Sequence, residues 1–449
     1  QRAFSTGITI YAPSIILSQL LGWDLNTTVI FIGGIVTIYI LSGGTKAVAV
    51  THKQQMLVIY VGMFTAFGCL IYYLSEYVSF NESLNVAGAL GKMNIITTGA
   101  ESGSFDWSDR YNIISGLIGG LFLQLSYFGT DQSQVGRYLG GESVKESRLG
   151  LIFNGLMKVP VQFFILLTGV LVFVFYQFNQ PPVYFNEVAY TQTKNSIYAE
   201  ELDRLETAYL AATDNQTKLN RELAEQKVTA DAQQTEILRN SQEQVNGLRT
   251  EINAVIKKAN PDIDDDHDYI FMHFVMNYLP IGLVGLLFAV IFSASMSSTS
   301  SALNGLATTF SVDIYKRFIN KNASEQQHLI ASKVLTVLFG AMAIGFALVC
   351  SMFDNLIEAV NILGSLFYGT ILGIFLTAFL LKRVKGNAVF IAALLSEAII
   401  LYLDFSVRYD WNTPQLTIGY LWYNVIGCLL VMIFATLLSL GNRKPSYTT

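Results

Sequence analysis

A dense run of hydroxyl side chains lies inside one long apolar segment. Within IFSASMSSTSSALNGLATTF the run consists of Ser293, Ser295, Ser297, Ser298, Thr299, Ser300 and Ser301. Small residues commonly pack helices together in membranes. Hydroxyl and backbone carbonyl oxygens are also hard neutral ligands for a monovalent cation, and a Ser hydroxyl can bond to the carbonyl one turn earlier. The run therefore indicates either a helix-packing surface or a cation site.

A lysine lies deep in another apolar segment. Lys158 belongs to GLIFNGLMKVPVQFFILL and follows Arg148, which marks the charged end of that segment. At 1.5 Å per residue, Lys158 is about 15 Å from this end. A charged group at such depth needs a carboxylate, carbonyl dipoles, water or a solute oxygen as its partner. We favour a cavity over a structural ion pair.

Two further segments combine apolar and polar residues. In GGLFLQLSYFGTDQSQVGRYLGG, polar residues interrupt the pattern from Gln124 onward, and Asn361 lies in EAVNILGSLFYGT. Non-helical backbone is tolerated at membrane depth where it lines a cavity. We predict a helix break within residues 126–130 that directs Gln124 and Tyr127 toward a cavity. The alternative is a helix that ends early, at Gly129.

Membrane-spanning helices must carry these residues. Hydrophobic residues make up 52% of the chain and charged residues 14%, whereas soluble domains carry about 25% charged residues. A span needs about 20 apolar residues. We predict ten such segments, at residues 2–22, 26–43, 53–76, 112–136, 147–177, 277–314, 327–352, 356–381, 387–404 and 417–440. The lipid bilayer is thus the main partner, and nucleic acid is excluded as one.

The distribution of Lys and Arg predicts the orientation. Basic residues concentrate at alternate segment ends, as with Lys53, Arg148 and Lys316, whereas the loop at 77–111 is acidic. Cytoplasmic loops hold the excess of Lys and Arg. We therefore expect a multi-pass protein of the cell (inner) membrane with both ends of this chain cytoplasmic. Because Gln1 opens directly onto an apolar segment, we also expect the N-terminus to be truncated.

One stretch is too polar for a membrane. Residues 195–258 are rich in Glu, Gln, Asn and Lys, and their apolar residues recur at three-four spacing, as a coiled coil requires. We predict an extracytoplasmic helical hairpin that projects outward, with its turn between Asp214 and Thr229. The predicted organisation is a transmembrane core at 1–185, the insertion at 186–270 and the rest of the core at 271–449. In the simplest interpretation the hairpin is a solvated insertion without a functional role; the alternatives are a spacer, a gate cover or a docking site for a protein partner.

Three stretches resemble the sodium:solute symporter family, in the branch of the bacterial sodium/galactose transporter. They are SGGTKAVAVTHKQ, TDQSQVGRYL and SASMSSTSSALNGLATTFSVDIYKRF, in this order along the chain. The resemblance implies an all-α integral membrane protein with the LeuT-type fold of two inverted five-helix repeats. It also implies that the first two helices of the first repeat precede this chain.

The resemblance assigns roles to particular residues. Ala294, Ser297 and Ser298 match the family's main sodium site. Ala294 and Ser298 are four residues apart on one helical face, and Ser297 lies beside them. The positions that match solute contacts or the inner gate of the family are Gln124, Tyr127, Lys158 and Asn361.

One position departs from the family pattern. The family commonly has an Asp after Thr in the loop before the third segment, and this Asp helps to form a second sodium site where one exists; here the residue is His52. A neutral imidazole is a poor replacement for a carboxylate around sodium. His52 therefore marks a modified second-ion position or a histidine at the membrane interface, and we expect one sodium ion per solute.

These features predict a sodium-coupled symporter that imports a small organic solute by alternating access. Amide and ammonium donors favour a sugar. The alternative is an anionic solute such as a sialic acid or a monocarboxylate, because Lys158 can pair with a carboxylate. A non-transporting sensor with the same fold is the rival from another class. We do not expect an enzyme, because the sequence has no nucleophile-base pair or metal-ligand cluster.

Overall fold

The computed structural model describes residues 2–41, 45–94, 96–100, 103–139, 143–225, 232–261, 265–350, 356–408 and 417–441. Every regular element in these ranges is helical. The chain divides into two compact units, one formed by Ile95–Phe153 with Ile357–Thr449 and the other by Arg2–Asn94 with Asn154–Leu356. We call them the first unit and the second unit.

The helices are named in chain order. They are α1 (Arg2–Leu21), α2 (Leu25–Leu41), α3 (Thr45–Leu74), α4 (Phe80–Ala89), α5 (Gly120–Thr130), α6 (Gln132–Leu139), α7 (Val144–Phe178), α8 (Glu187–Lys194), α9 (Ala199–Glu225), α10 (Ala232–Ala259), α11 (His267–Tyr278), α12 (Ile281–Thr309), α13 (Glu325–Ala347), α14 (Leu356–Leu380), α15 (Gly386–Arg408) and α16 (Leu421–Gly441). Two π-helical segments, Ser115–Gly119 and Phe310–Ile319, precede α5 and follow α12.

Eight helices in the described part of the chain are long and apolar enough to cross a membrane. Each of the eight overlaps one of the ten segments predicted from the sequence. Of the two remaining predicted segments, residues 26–43 correspond to α2, which is apolar but only 17 residues long. The other, residues 112–136, is divided among a π-helical segment, α5 and α6. The helical architecture with several membrane spans is therefore confirmed.

Small residues bring helices of the second unit close together. A Cβ at Gly7 of α1 would lie 2.8 Å from the backbone oxygen of Ala343 on α13, and one at Gly340 would lie 2.6 Å from Thr37 Oγ1 on α2. Side chains at these glycines would push the backbones apart. As expected for membrane helices, glycine allows the close approach. Because α12 also packs against α1 and α13, this arrangement fixes the position of the hydroxyl run.

The polar interruption in the first unit lies later than predicted. The α5 helix continues through residues 126–130 and ends at Thr130, one residue beyond Gly129, and the break comes at Asp131 with φ −75° and ψ 113°. The Thr130 hydroxyl donates to the Ser126 carbonyl at 2.8 Å, a bond made within the helix. The Asp131 carbonyl then accepts from the amides of Gln134 and Val135, both at 2.9 Å, and so begins α6.

Helices α9 and α10 form the polar insertion, which we call the hairpin. The apolar residues that were spaced at three and four in the sequence form its core: Leu202, Tyr209, Val245, Ile252 and Val255 are buried, and Leu205 and Leu248 pack against them. The α9 helix extends to Glu225 and α10 begins at Ala232. The end of the interval predicted for the turn thus lies outside the described residues.

The hairpin lies against the ends of other helices instead of projecting freely. Asn220 Nδ2 donates to the Gln177 carbonyl at 2.8 Å, and Arg221 Nη2 donates to the Phe178 carbonyl at 2.7 Å. Both carbonyls are in the last turn of α7, where a helix has no internal partners for them. Arg239 Nε likewise donates to the Ala89 carbonyl at the end of α4, at 3.0 Å. The hairpin therefore caps two helices of the second unit.

Candidate functional site

Helix α12 is hydrogen-bonded to α1 through two residues of its hydroxyl run. Ser295 Oγ donates to the backbone carbonyl of Thr9. Thr9 Oγ1 and Thr299 Oγ1 are 2.7 Å apart and share a second hydrogen bond. Because Ser295 and Thr299 are four residues apart, they lie on one face of α12. This face serves helix packing, one of the two roles considered from the sequence.

A second face of α12 meets α3. Gln55 Nε2 on α3 donates to Ser293 Oγ at 2.5 Å, and the Gln55 side chain is buried. Ser297 and Ser300 follow Ser293 by four and seven residues, so they share its side of the helix. Both are 1% exposed. The structure thus places Ser297 on a closely packed side of α12.

The remaining face of α12 is more open. Ala294, Ser298 and Ser301 are all half-buried and follow one another at intervals of four and three residues. The Ala294 carbonyl and the Ser298 side chain therefore share one side of α12, which is helical throughout Ile281–Thr309. Bonds to α1 and α3 on the other sides fix the rotation of α12. Of the hydroxyls singled out for sodium, Ser298 is on the open side.

Three of the predicted solute contacts belong to the first unit. Gln124 and Tyr127 are on α5, where Gln124 is exposed and Tyr127 half-buried, and Asn361 is a half-buried residue of α14. The Tyr127 ring lies 6.2 Å from the ring of Tyr368 on α14. Ser126 Oγ also donates to the Tyr368 carbonyl at 2.8 Å. These contacts hold Tyr127 against α14, whereas Gln124 extends from the surface of a regular helix.

Lys158 and His52 belong to the second unit. Lys158 is an exposed residue of α7, and Pro160 follows it inside the same helix. Since proline has no amide hydrogen, the carbonyl four residues before it, that of Leu156, has no helical partner. This leaves a carbonyl dipole two residues before the lysine in the same helix. The side chain of His52 lies outside the described part of the structure.

Several polar residues were missed by the sequence analysis. Thr9 lies among apolar residues and Gln55 at the polar start of an apolar segment, and only the packing of the helices shows that they hold α12. Arg110 donates to Glu358 and forms an ion pair within the first unit. Glu397 is in the middle of α15. Its signal was available in the sequence, because it is a single carboxylate in the apolar run AALLSEAIILYL.

The model of the sodium:solute symporter family matches residues 3–199 and 251–396. The sialic acid symporter NanT of Aliivibrio fischeri is 31% identical over 166 residues, which cover 36% of this chain and 31% of that protein. The mouse sodium-coupled monocarboxylate transporter 2 is 24% identical, over 84% of this chain and 47% of that protein. The Proteus mirabilis sialic acid symporter SiaT is 23% identical, over 96% of this chain and 68% of that protein. The chain thus spans about a third to two thirds of the length of these relatives.

A solved structure of a sodium-coupled sialic acid symporter, in a substrate-bound outward-open state, has the same fold. The TM-score is 0.65 at 20% sequence identity, over 98% of this chain and 72% of that one. The likeness confirms the predicted LeuT-type fold. The relatives are transporters and not enzymes, as expected. Since the family model covers most of the chain, the protein belongs to the sodium:solute symporter family.

Proposed function

We propose that this chain is the core of a sodium-coupled symporter that imports a small organic solute by alternating access. The observation that carries the proposal is the open face of α12. Bonds to Thr9 and Gln55 hold the other sides of this helix, while Ala294 and Ser298 remain half-buried. Desolvated sodium needs about five oxygen ligands, and hydroxyls and carbonyls are the neutral ligands that a membrane helix offers.

We propose the Ala294 carbonyl and the Ser298 hydroxyl on this face, with the Ser297 hydroxyl from the adjoining packed side, as three of these ligands. Coupling then requires that sodium and solute each bind one conformation better than the others. The effect is reciprocal, because a ligand that stabilises one conformation raises the affinity of the other ligand for it. The assignments of Gln124, Tyr127, Lys158 and Asn361 to solute contacts remain predictions from the family resemblance.

Within this function we propose an anionic organic solute. Relatives are named for sialic acid and for monocarboxylates, and both carry a carboxylate. Lys158, an exposed residue of α7, supplies the opposite charge. The neutral sugar favoured from the amide donors is the second candidate, since no relative reported above is named for one.

Uptake by the complete protein in proteoliposomes tests both levels of the proposal. We expect an inward sodium gradient, but not an equal potassium gradient, to drive the uptake of a sialic acid or a short monocarboxylate in preference to a neutral hexose. Lys158→Ala is expected to raise the Michaelis constant for the anion more than it weakens sodium binding measured without solute, and Lys158→Arg to preserve part of the anion affinity. A preference for the hexose would overturn the proposal that the solute is anionic. Binding of the solute without its transport would instead support the rival function, a non-transporting sensor with the same fold.

We also propose that the protein lies in the cell membrane with both ends of this chain on the cytoplasmic side. The hairpin is then an extracytoplasmic insertion within residues 186–270. Its polar surface and its packing against the ends of α4 and α7 support a position outside the bilayer. A protein partner for the hairpin remains a prediction.

A further inference from the structure

Glu397 is a carboxyl group in the middle of a membrane-spanning helix. The apolar part of α15 runs from Gly386 to Ser406. At 1.5 Å per residue, Glu397 lies about 16 Å from Gly386, which is close to the middle of a hydrocarbon core about 30 Å thick. An ionised carboxylate at this depth is unfavourable unless a cation or a proton compensates its charge.

The carboxyl group lies where three helices of the first unit meet. Thr370 of α14 is 6% exposed, and its hydroxyl lies beside the Glu397 carboxyl. A Cβ at Gly427 of α16 would be 3.3 Å from Thr370 Oγ1. Ser396, the residue before Glu397, donates to the Gly427 carbonyl at 3.0 Å. Glu397 and Thr370 are thus held together by the packing of α14 and α15 against α16.

Both side chains have a buried oxygen that lacks a partner. Among the described residues, neither Glu397 Oε1 nor Thr370 Oγ1 makes a hydrogen bond of normal geometry. Leaving such groups without a hydrogen bond is unfavourable, because each loses the bond that it would make to water. The Thr370 hydroxyl has one O–H donor that it can direct to the carboxylate, but such a bond from a neutral group leaves the negative charge uncompensated. A single proton on the carboxyl group removes this charge and adds a second donor to the pair.

The three apolar spans provide no basic side chain to neutralise a carboxylate. Residues 360–380, 386–406 and 421–440 contain neither Lys nor Arg. Their other titratable residues are Tyr368 on α14, Tyr402 and Asp404 on α15, and Tyr423 and Cys428 on α16. None of these is a cation. The charge of an ionised Glu397 would therefore be uncompensated by the helices that pack around it.

We propose that Glu397 and Thr370 form an intramembrane proton-binding site. A proton from water adds to the carboxylate, and the resulting neutral acid donates its hydrogen bond to Thr370 Oγ1. A proton fits better than sodium because one acceptor completes its bonding, whereas sodium needs about five oxygens. The site lies in the first unit and uses none of the α12 residues proposed for the coupling ion.

Infrared spectroscopy of the complete protein in lipid bilayers tests this site directly. A protonated carboxyl group gives a C=O stretching band that shifts in heavy water. We expect such a band near neutral pH, and its complete loss in Glu397→Gln. Glu358→Gln is the matched control, because Glu358 is paired with Arg110 and its removal leaves the band in place. Thr370→Val is expected to shift the band and Thr370→Ser to restore its position.

Two results would overturn the proposal. The first is a band that persists unchanged in Glu397→Gln and in Thr370→Val, since the acid would then be elsewhere. The second is the absence of a protonated-acid band together with carboxylate bands that respond to sodium, because the ligand would then be a metal cation. If Glu397→Gln does not fold, the Thr370 variants decide. None of these measurements requires transport, so the proton site is tested separately from the symport function.

Discussion

Ser295 and Ser298 are three residues apart on α12 and meet different surroundings. Both are half-buried, but Ser295 donates to the Thr9 carbonyl, whereas Ser298 lies on the adjoining side of the helix with Ala294 and Ser301. The sequence identified the run as packing surface or cation site, and the structure places members of the run on separate faces. The spacing alone could not separate them, because the face that meets α1 is decided by tertiary packing.

Replacing Ser297 or Ser298 by alanine tests the sodium assignment. Each substitution removes one oxygen without adding bulk, so the protein is expected to insert normally. If these oxygens bind the coupling ion, the sodium concentration for half-maximal uptake rises several-fold in each variant. Solute uptake measured over a series of sodium concentrations in proteoliposomes gives this value.

Ser295→Ala is the matched control within the same run. It removes an identical hydroxyl, but one that bonds to α1. We expect its half-maximal sodium concentration to equal that of the unchanged protein. A shift of the same size in Ser295→Ala and Ser298→Ala would mean that the run acts only through helix packing.

Asp268, at the start of α11 and outside the candidate spans, makes stability depend on pH. Burial, with the nearby charge of Asp265, raises its pKa from 3.8 to about 6. Since the folded protein holds this proton more tightly than the unfolded chain, stability falls as pH rises through this interval. We expect a higher melting temperature at pH 4.5 than at pH 6.5, and a smaller difference in Asp268→Asn.

His267 provides the control for this measurement. Its hydrogen bond to Asp265 raises the pKa of the imidazole above 6.5. The stabilisation from the charged imidazole is complete below pH 6.5 and is lost as pH rises through the raised pKa. His267→Gln is thus expected to change the melting curve above pH 6.5 and to keep the fall in stability at lower pH, because Asp268 then loses only the imidazolium charge that opposes its raised pKa. If Asp268→Asn kept the full difference in melting temperature between pH 4.5 and pH 6.5, the assignment of this difference to Asp268 would be wrong.

At the scale of elements, apolar spacing predicted helices well and their contacts poorly. The three-four pattern of Leu202, Tyr209 and Val245 gave the hairpin core, because a pair of polar helices has only one apolar side to bury. The docking of the hairpin depends instead on Arg221 and Arg239, which bond to carbonyls at the ends of distant helices. Arginines on a polar helix carry no local signal of such partners.

Arg249 and Asp266 join the hairpin to the start of α11. Arg249 Nη2 donates to Asp266 Oδ1 at 2.6 Å, with side chains 16% and 0% exposed. Asp266 Oδ2 also accepts from the Phe185 amide at 2.6 Å. Arg249→Met leaves a buried carboxylate without its cation, which is expected to cost about 3–5 kcal/mol. A lowered midpoint in chemical or thermal unfolding of the complete protein measures this loss.

The exposed pair of Lys258 and Glu201 provides the comparison. Its side chains are 52% and 48% exposed, and such pairs contribute about 0–1 kcal/mol. Lys258→Met is therefore expected to leave the unfolding midpoint nearly unchanged. Equal effects of Lys258→Met and Arg249→Met would show that the Arg249 pair does not anchor the hairpin.

At the scale of the whole molecule, the family resemblance predicted the fold of the membrane core but did not include the hairpin. The family model matches both sides of residues 200–250 and omits that interval, which contains most of the two hairpin helices. The motifs SGGTKAVAVTHKQ and SASMSSTSSALNGLATTF identified the core because they recur in the family. No such motif shows that Asn220 and Arg221 cap the end of α7, since this contact depends on the orientation of the insertion.

Replacing residues 200–250 by a short Gly/Ser linker tests how much of the molecule transport requires. The variant also carries Asp266→Asn, because removal of Arg249 would otherwise leave a buried carboxylate unpaired. We expect a lower melting temperature, since the carbonyls of Gln177 and Phe178 lose their donors. Sodium-driven uptake per folded molecule is expected to persist, because α12 is held by Thr9 and Gln55, outside the hairpin. Asp266→Asn alone is the control. A linker variant that is monodisperse and inserted, but has lost uptake that the control retains, would show that the hairpin takes part in transport.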